Sequence, residues 1–174
     1  MSLTNRIFRH VLVESANRFF SSLALSAMVA PALRLLGASV GKNARIYAPL
    51  VLHNSKFSNL VIGDNCHIGR DVFLDLTDRI EIGDNVTVSM RATLITHFDP
   101  GDSAMGAAGY PVAHGPIIIG KGGYIGAGAT VLDGVKIGAG SIVAAGALIR
   151  RDVPQHSLVA GVPGRLVRTL DGNG

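Results

Sequence analysis

The residues with chemistry to offer are few. The 174 residues include six histidines, one cysteine and no tryptophan. His97 stands out because Asp99 follows two positions on, in Thr96-His97-Phe98-Asp99. Imidazole is the side chain that exchanges a proton near neutral pH, and a neighbouring carboxylate can orient it or raise its basicity. The stretch from Gly101 to Gly115 is rich in Gly and Ala, so His97 stands at the root of a loop, where function tends to be placed. His114 closes that loop and can line the same cleft. His10, His53, His67 and His156 read as structural or surface residues. Arg150, Arg151, Arg165 and Arg168 gather cations near the C-terminal end, which suits phosphate.

Several chemistries are excluded. Cys66 is alone, so there is neither a disulfide framework nor a cysteine-based zinc site. No G-x-S-x-G elbow is present. The formal net charge is +4, without the dense basic runs of a nucleic-acid binder. Charged residues are 16% of the chain, against about 25% in ordinary domains. So aliphatic a chain is not disordered. Its 22 glycines keep no three-residue period, so it is not collagen.

The elements that must position these residues follow from a repeat. Aliphatic residues recur every six positions at Ile119, Ile125, Val131, Ile137, Val143 and Ile149. The same step joins Val40, Ile46 and Leu52, then Ile62, Ile68 and Leu74, then Ile82, Val88 and Leu94. Glycine often follows, as at Gly63, Gly83, Gly120 and Gly126. Small or compact residues, Cys66 among them, sit four positions after many repeat starts. A helix would repeat at about 3.6 and a hairpin sheet at about two. Six is a multiple of two, so each repeat can be one short strand with a constant inward side. Three strands close a triangular coil, and stacked coils pair as parallel strands ~4.8 Å apart. The expectation is an all-β parallel β-helix of about five coils, roughly 24 Å tall. Its core is a column of Ile, Val and Leu, with Cys66 inside it. The pattern is lost between Leu94 and Ile119, which defines one excursion loop over 97–116.

The chain divides into an N-terminal helical segment (1–37), the β-helix (38–153) and a C-terminal tail (154–174). Phe8, Val11, Leu12, Phe19 and Leu23 fall at helical spacing, which predicts an amphipathic helix broken near Pro31. The uncharged run from Phe19 to Leu33 is short of the ~20 residues that span a bilayer. Three readings of this segment stay open: packing on its own domain, contact with a membrane through its apolar and arginine-bearing faces, and a cleaved signal. Because the coils start near Val40, residues 1–30 are expected to be dispensable for folding.

The sequence resembles the hexapeptide acyltransferase superfamily over about residues 37–170. Over 82–168 it is most similar to the galactoside, maltose and cell-surface polysaccharide O-acetyltransferases. The stretches that carry this are I-E-I-G-D-N-V (80–86), T-L-I-T-H-F-D (93–99), I-I-I-G-K-G-G-Y-I-G-A-G-A (117–129), V-L-D-G-V-K-I-G-A-G-S-I-V (131–143) and R-D-V-P-Q-H-S-L-V-A-G-V-P-G-R-L-V-R (151–168). The resemblance implies left-handed coils, against the usual crossover rule, and acetyl transfer from acetyl-CoA as co-substrate, with no metal. It makes His97 the general base, while the family's position at Asp99, the neighbouring carboxylate, varies. It assigns the Ala127 N–H to the oxyanion and Ala127 and Ala145 to a pantetheine groove floored by Gly126, Gly128 and Gly146. Arg150, Arg151, Arg165 and Arg168 would hold the CoA phosphates, with Arg-Arg at 150–151 where relatives have Thr-Lys. Asp75, Asp78 and His114 would face a sugar or glycan acceptor.

The resemblance also implies a homotrimer with active sites between subunits. The start of the chain, Leu33-Arg34-Leu35-Leu36-Gly37, looks more like the polysaccharide enzymes than the galactoside ones. The implied location is cytoplasmic, with peripheral contact at the inner face of the membrane as the sharper reading. Competing readings are N-acetylation of a nucleotide-linked amino sugar, for which no nucleotide signature is visible, and a non-catalytic scaffold. A β-helix carbonic anhydrase needs three converging histidines, and His67, His97 and His114 share no position in the repeat.

Overall fold

A computed structural model describes residues 3–22 and 26–170; Leu23 and the end of the tail after Leu170 lie outside the described residues. Its centre is a parallel β-helix whose three faces run the length of the molecule. The first face stacks Ser39–Val40, Leu60–Ile62, Ile80–Ile82, Ile117–Ile119 and Lys136–Ile137. The second stacks Arg45–Ile46, His67–Ile68, Thr87–Val88, Tyr124–Ile125, Ile142–Val143 and Ser157–Ala160. The third stacks Leu50–His53, Val72–Asp75, Thr93–Leu94, Thr130–Val131 and Leu148–Ile149.

The period-six residues lie in register. Leu52 pairs with Leu74, Leu74 with Leu94, Leu94 with Val131 and Val131 with Ile149. All five are buried, as are Ile62, Ile82, Ile119 and Ile137 on the first face. Leu94 and Val131 are direct partners although the excursion loop separates them in sequence. The loop therefore leaves and rejoins the prism without shifting its register. Cys66 is fully buried, its thiol donates to the Gly83 carbonyl at 3.0 Å, and burial pushes its pKa up. A buried, protonated thiol is a core residue and no nucleophile.

Two kinds of position shape the corners. The glycine after the aliphatic residue lets coils approach: a Cβ at Gly126 would collide with the backbone of Ala145 in the next coil. The turn itself falls two residues later, at a positive φ taken by Asn85 (58°) in one coil and Gly122 (67°) in the next. Asn and Gly are the residues that adopt this conformation at least cost.

Two helices close the N-terminal end, α1 (Leu3–Ser22) and α2 (Val29–Leu35). Pro31 does not break a helix; it occupies the first turn of α2, where its missing N–H costs nothing. Ala16 and Phe20 of α1 and Val29, Ala30 and Leu33 of α2 are buried in the core. The Asn17 carboxamide donates to Leu52 O and accepts from Leu52 N, both at 2.9 Å. It thereby replaces a neighbouring strand on the open edge of the third face. Arg34 does the same on the first face, donating to Val40 O and Gly41 O. The described residues of this segment thus pack on the open end of the β-helix, although the coils themselves start only near Val40. Ile7, Phe8 and Val11 remain on the outside of α1. Among the described residues no helix is long and apolar enough to cross a membrane.

The β-helix also runs past residue 153. Val153 bridges to Ile137, and Ser157–Ala160 adds a strand to the second face before Arg165–Thr169 folds back antiparallel on it. Replacing Asn17 by Ala should cost about 2 kcal/mol for two hydrogen bonds, a fall of ~4–8 °C in thermal midpoint. An unchanged midpoint in a calorimetric scan would remove this role from Asn17.

Candidate active site

Every departure from the six-residue step falls at one corner, between the third and first faces. Leu52 to Ile62, Leu74 to Ile82 and Leu94 to Ile119 are all longer than one repeat, whereas Val131 to Ile137 is not. Stacked coils pile these three insertions on one another. They bring together His53 from the first coil, Asp75 and Asp78 from the second, and Thr96, His97 and His114 around the third.

Asp75 is the centre of this cluster. Alternation along Val72–Asp75 buries Val72 and Leu74, so Asp75 is at an outward position, yet it is only 1% exposed. Its Oδ1 accepts from Thr77 N at 3.0 Å, and its Oδ2 accepts from Thr96 N at 2.9 Å. Oδ2 also contacts His97 Nδ1 at 2.5 Å. Thr96 is fully buried, and its hydroxyl donates to Asp75 O at 2.8 Å. Burial pushes the Asp75 carboxyl up, but hydrogen bonds from His97, Thr77 and Thr96 outweigh it and hold the group below its ordinary value. An ionised carboxylate only accepts. In the neutral His97 ring the proton is therefore on Nδ1, and Nε2 keeps its lone pair.

A second pair flanks the first. His114 Nδ1 meets Asp78 Oδ2 at 2.6 Å, and Asp78 N donates to Thr96 Oγ1 at 3.0 Å. The hydrogen bond from His114 holds the Asp78 carboxyl below its usual range. His97 and His114 are direct partners in the two-stranded antiparallel ladder, His97–Phe98 with Ala113–His114, that closes the loop. Asp99 does not orient His97: its Oδ1 accepts from Gly101 N and holds a turn. That place is taken by Asp75, which the sequence reading put on the acceptor instead. His53, read as a structural or surface residue, lies with its ring nearly parallel to that of His97, centroids 5.2 Å apart. The signal that could have found both is the longer step at the ends of the first two third-face strands.

The expected groove residues meet at a different corner, between the second and third faces. Ala127 and Ala145 occupy it in successive coils, and Gly146 N donates to Ala127 O at 2.9 Å. The Ala127 N–H makes no hydrogen bond among the described residues. Arg150 and Arg151 leave the third face of the last full coil, exposed. Gly164 N donates to Leu148 O, and the exposed Arg165 and Arg168 follow on the last strand as register partners of Ala160 and Leu158. A cavity of about 690 Å³ opens beside Ser26, Arg45, Tyr47 and Asn65, away from His97.

Comparison with known proteins agrees with this architecture. A model of the hexapeptide repeat of succinyl-transferase matches residues 59–90, and one of the bacterial transferase hexapeptide (six repeats) matches 114–151. Over these residues the chain carries the hexapeptide repeat of such transferases. The hexapeptide chain is 32% identical to galactoside O-acetyltransferase of Escherichia coli over 150 residues, 77% of its own length and 64% of the relative's. It is 36% identical to serine acetyltransferase 4 of Arabidopsis thaliana over 104 residues, 60% of its own length but 28% of the relative's. It therefore spans less than two thirds of either curated relative. Among solved structures, the hexapeptide-repeat acetyltransferase VCA0836 of Vibrio cholerae, complexed with acetyl-CoA, superposes with a TM-score of 0.83 at 26% identity. That match covers 98% of this chain and 91% of the other, and makes the fold a left-handed β-helix.

The lowered Asp75 pKa has a consequence for stability. The fold favours the ionised form, so the stabilisation is complete above 3.8, the ordinary value, and disappears as pH falls through the folded-state value. Asp75→Asn should be less stable at neutral pH and lose less on acidification below 3.8. Denaturant midpoints measured against pH read this directly. Parallel acid limbs for the two proteins would show that Asp75 gains nothing from its partners.

Proposed function

We propose that the protein transfers an acetyl group from acetyl-CoA to a hydroxyl of a sugar or glycan, with His97 as general base. The observation that carries this is the buried Asp75 carboxylate fixing His97 by Nδ1, which leaves Nε2 to take a proton. His97 Nε2 takes the hydroxyl proton as the acceptor oxygen attacks the thioester carbonyl. The tetrahedral oxyanion needs an N–H donor, a role that suits Ala127. On collapse the C–S bond breaks, and the proton on His97 goes to the departing thiolate of CoA. The relatives named above share an acetyl donor but are named for different acceptors, a galactoside and serine. The acceptor is identified by a panel of sugars, glycans and serine with thiol release as readout.

The two corners support a homotrimer. Within one chain His97 and Ala127 lie on different edges of the prism, separated by the third face. A neighbour packed against that prism can bring its His97 to this chain's groove, as the implied trimer does. Ala127 and Ala145 would floor the pantetheine path, with Arg150, Arg151, Arg165 and Arg168 toward the phosphates. Asp78 and His114, next to His97, would face the acceptor. Ile7, Phe8 and Val11 are the residues through which α1 would touch a membrane, and co-sedimentation with anionic vesicles tests that contact.

His97→Ala should fold and bind CoA as the wild type does and lose roughly 10²–10⁴ in acetyl transfer. Near wild-type turnover would refute the mechanism. Charge reversal at Arg150, Arg151 or Arg165 should raise KM for acetyl-CoA and leave the acceptor KM unchanged. Equal shifts in both constants would move the phosphate site elsewhere.

A further inference from the structure

We infer that His53 is a positioning residue for His97, acting through its ring face and not through a proton. The inference rests on His97 being the base. His53 ends the first third-face strand, Leu50–His53, in which Leu50 and Leu52 point inward and Val51 and His53 outward. Its backbone is fixed against the second coil: His53 and Asp75 are register partners, and Leu76 N donates to His53 O at 2.8 Å. Its ring lies 8° from parallel to that of His97, with centroids 5.2 Å apart, and also stacks on Phe73 at 6.4 Å and 25°. The ligating atoms of His53, Asp75 and His97 all lie within 4.8 Å of one another. Lone pairs of stacked, near-parallel rings lie in separate parallel planes, so this grouping suits stacking better than shared coordination of an ion.

The geometry divides the work of holding His97 between two neighbours. Asp75 fixes the ring at one point, Nδ1. A single hydrogen bond leaves the ring free to swing about that contact, because the torsion that turns an imidazole has broad wells. A parallel aromatic plane resists that swing, since tilting either ring loses stacking contact. His53 thus keeps Nε2 aimed at one place, and Phe73 keeps His53 from turning away. The side chain is exposed and carries no core packing, so its replacement leaves the prism intact.

The test needs no acceptor. Long-range proton–nitrogen spectra of protein carrying ¹⁵N-histidine report the two His97 ring nitrogens, assigned by their loss in His97→Ala. In the wild type they should give two sharp, widely separated shifts, one protonated and one bare. His53→Ala and His53→Gln should broaden that pair as the ring moves about its Asp75 contact, and His53→Phe should sharpen it again, with thermal midpoints unchanged throughout. An unaltered pair in both His53→Ala and His53→Gln would overturn the proposal. So would a His53→Phe spectrum as perturbed as that of His53→Ala, because the ring nitrogens of His53 would then be needed. If His97 proves not to be the base, turnover in His97→Ala shows it while these spectra are unaffected.

Discussion

The structure depends on one constraint: inward residues of successive coils must fall on top of one another. Parallel strands ~4.8 Å apart can share a dry core only if each coil returns its aliphatic residue to the same place. Leu52, Leu74, Leu94, Val131 and Ile149 satisfy this on the third face. Extra residues are therefore added at a corner, and the chain comes back in register after them. The insertions at 53–61, 75–81 and 95–118 do so at the same corner. The candidate site is assembled where these insertions stack on one another.

That arrangement explains why a charged group is buried at the edge of an aliphatic column. Asp75 lies beyond Leu74, at the start of the second insertion, and is covered by the root of the third. Burial alone would oppose its charge. The N–H groups of Thr77 and Thr96 and the ring of His97 satisfy it, and among the described residues no buried side-chain polar atom lacks a partner. The carboxylate in turn decides which nitrogen of His97 is bare. Thr96 links this pair to Asp78 and His114, so both ends of the loop are tied to one buried hydroxyl.

Much of this was legible in the sequence. The spacing of six gave the coils, the inward column, the place of Cys66 and the position of the loop. Asp99 was favoured over Asp75 because it is two residues from His97, whereas Asp75 becomes a neighbour only once the coils are stacked. His53 was overlooked for the same reason: its contact with His97 spans two coils. The burial of Phe20, Val29 and Leu33 agrees with the reading in which the segment packs on its own domain, one of three left open because helical periodicity does not say what covers an apolar face. The continuation past residue 153 was missed because Ser157–Ala160 follows the proline-containing stretch Arg151–Gln155, which breaks the step of six.

The central claim is that the corner carrying His97 is where the acetyl group is delivered. A crystal structure of the protein grown with coenzyme A tests it most directly. The account predicts the pantetheine along Ala127 and Ala145, with its thiol and the Nε2 of a neighbouring chain's His97 placed so that one hydroxyl oxygen fits about 3 Å from each. A coenzyme whose thiol ends at a site remote from every His97 in the assembly would contradict it.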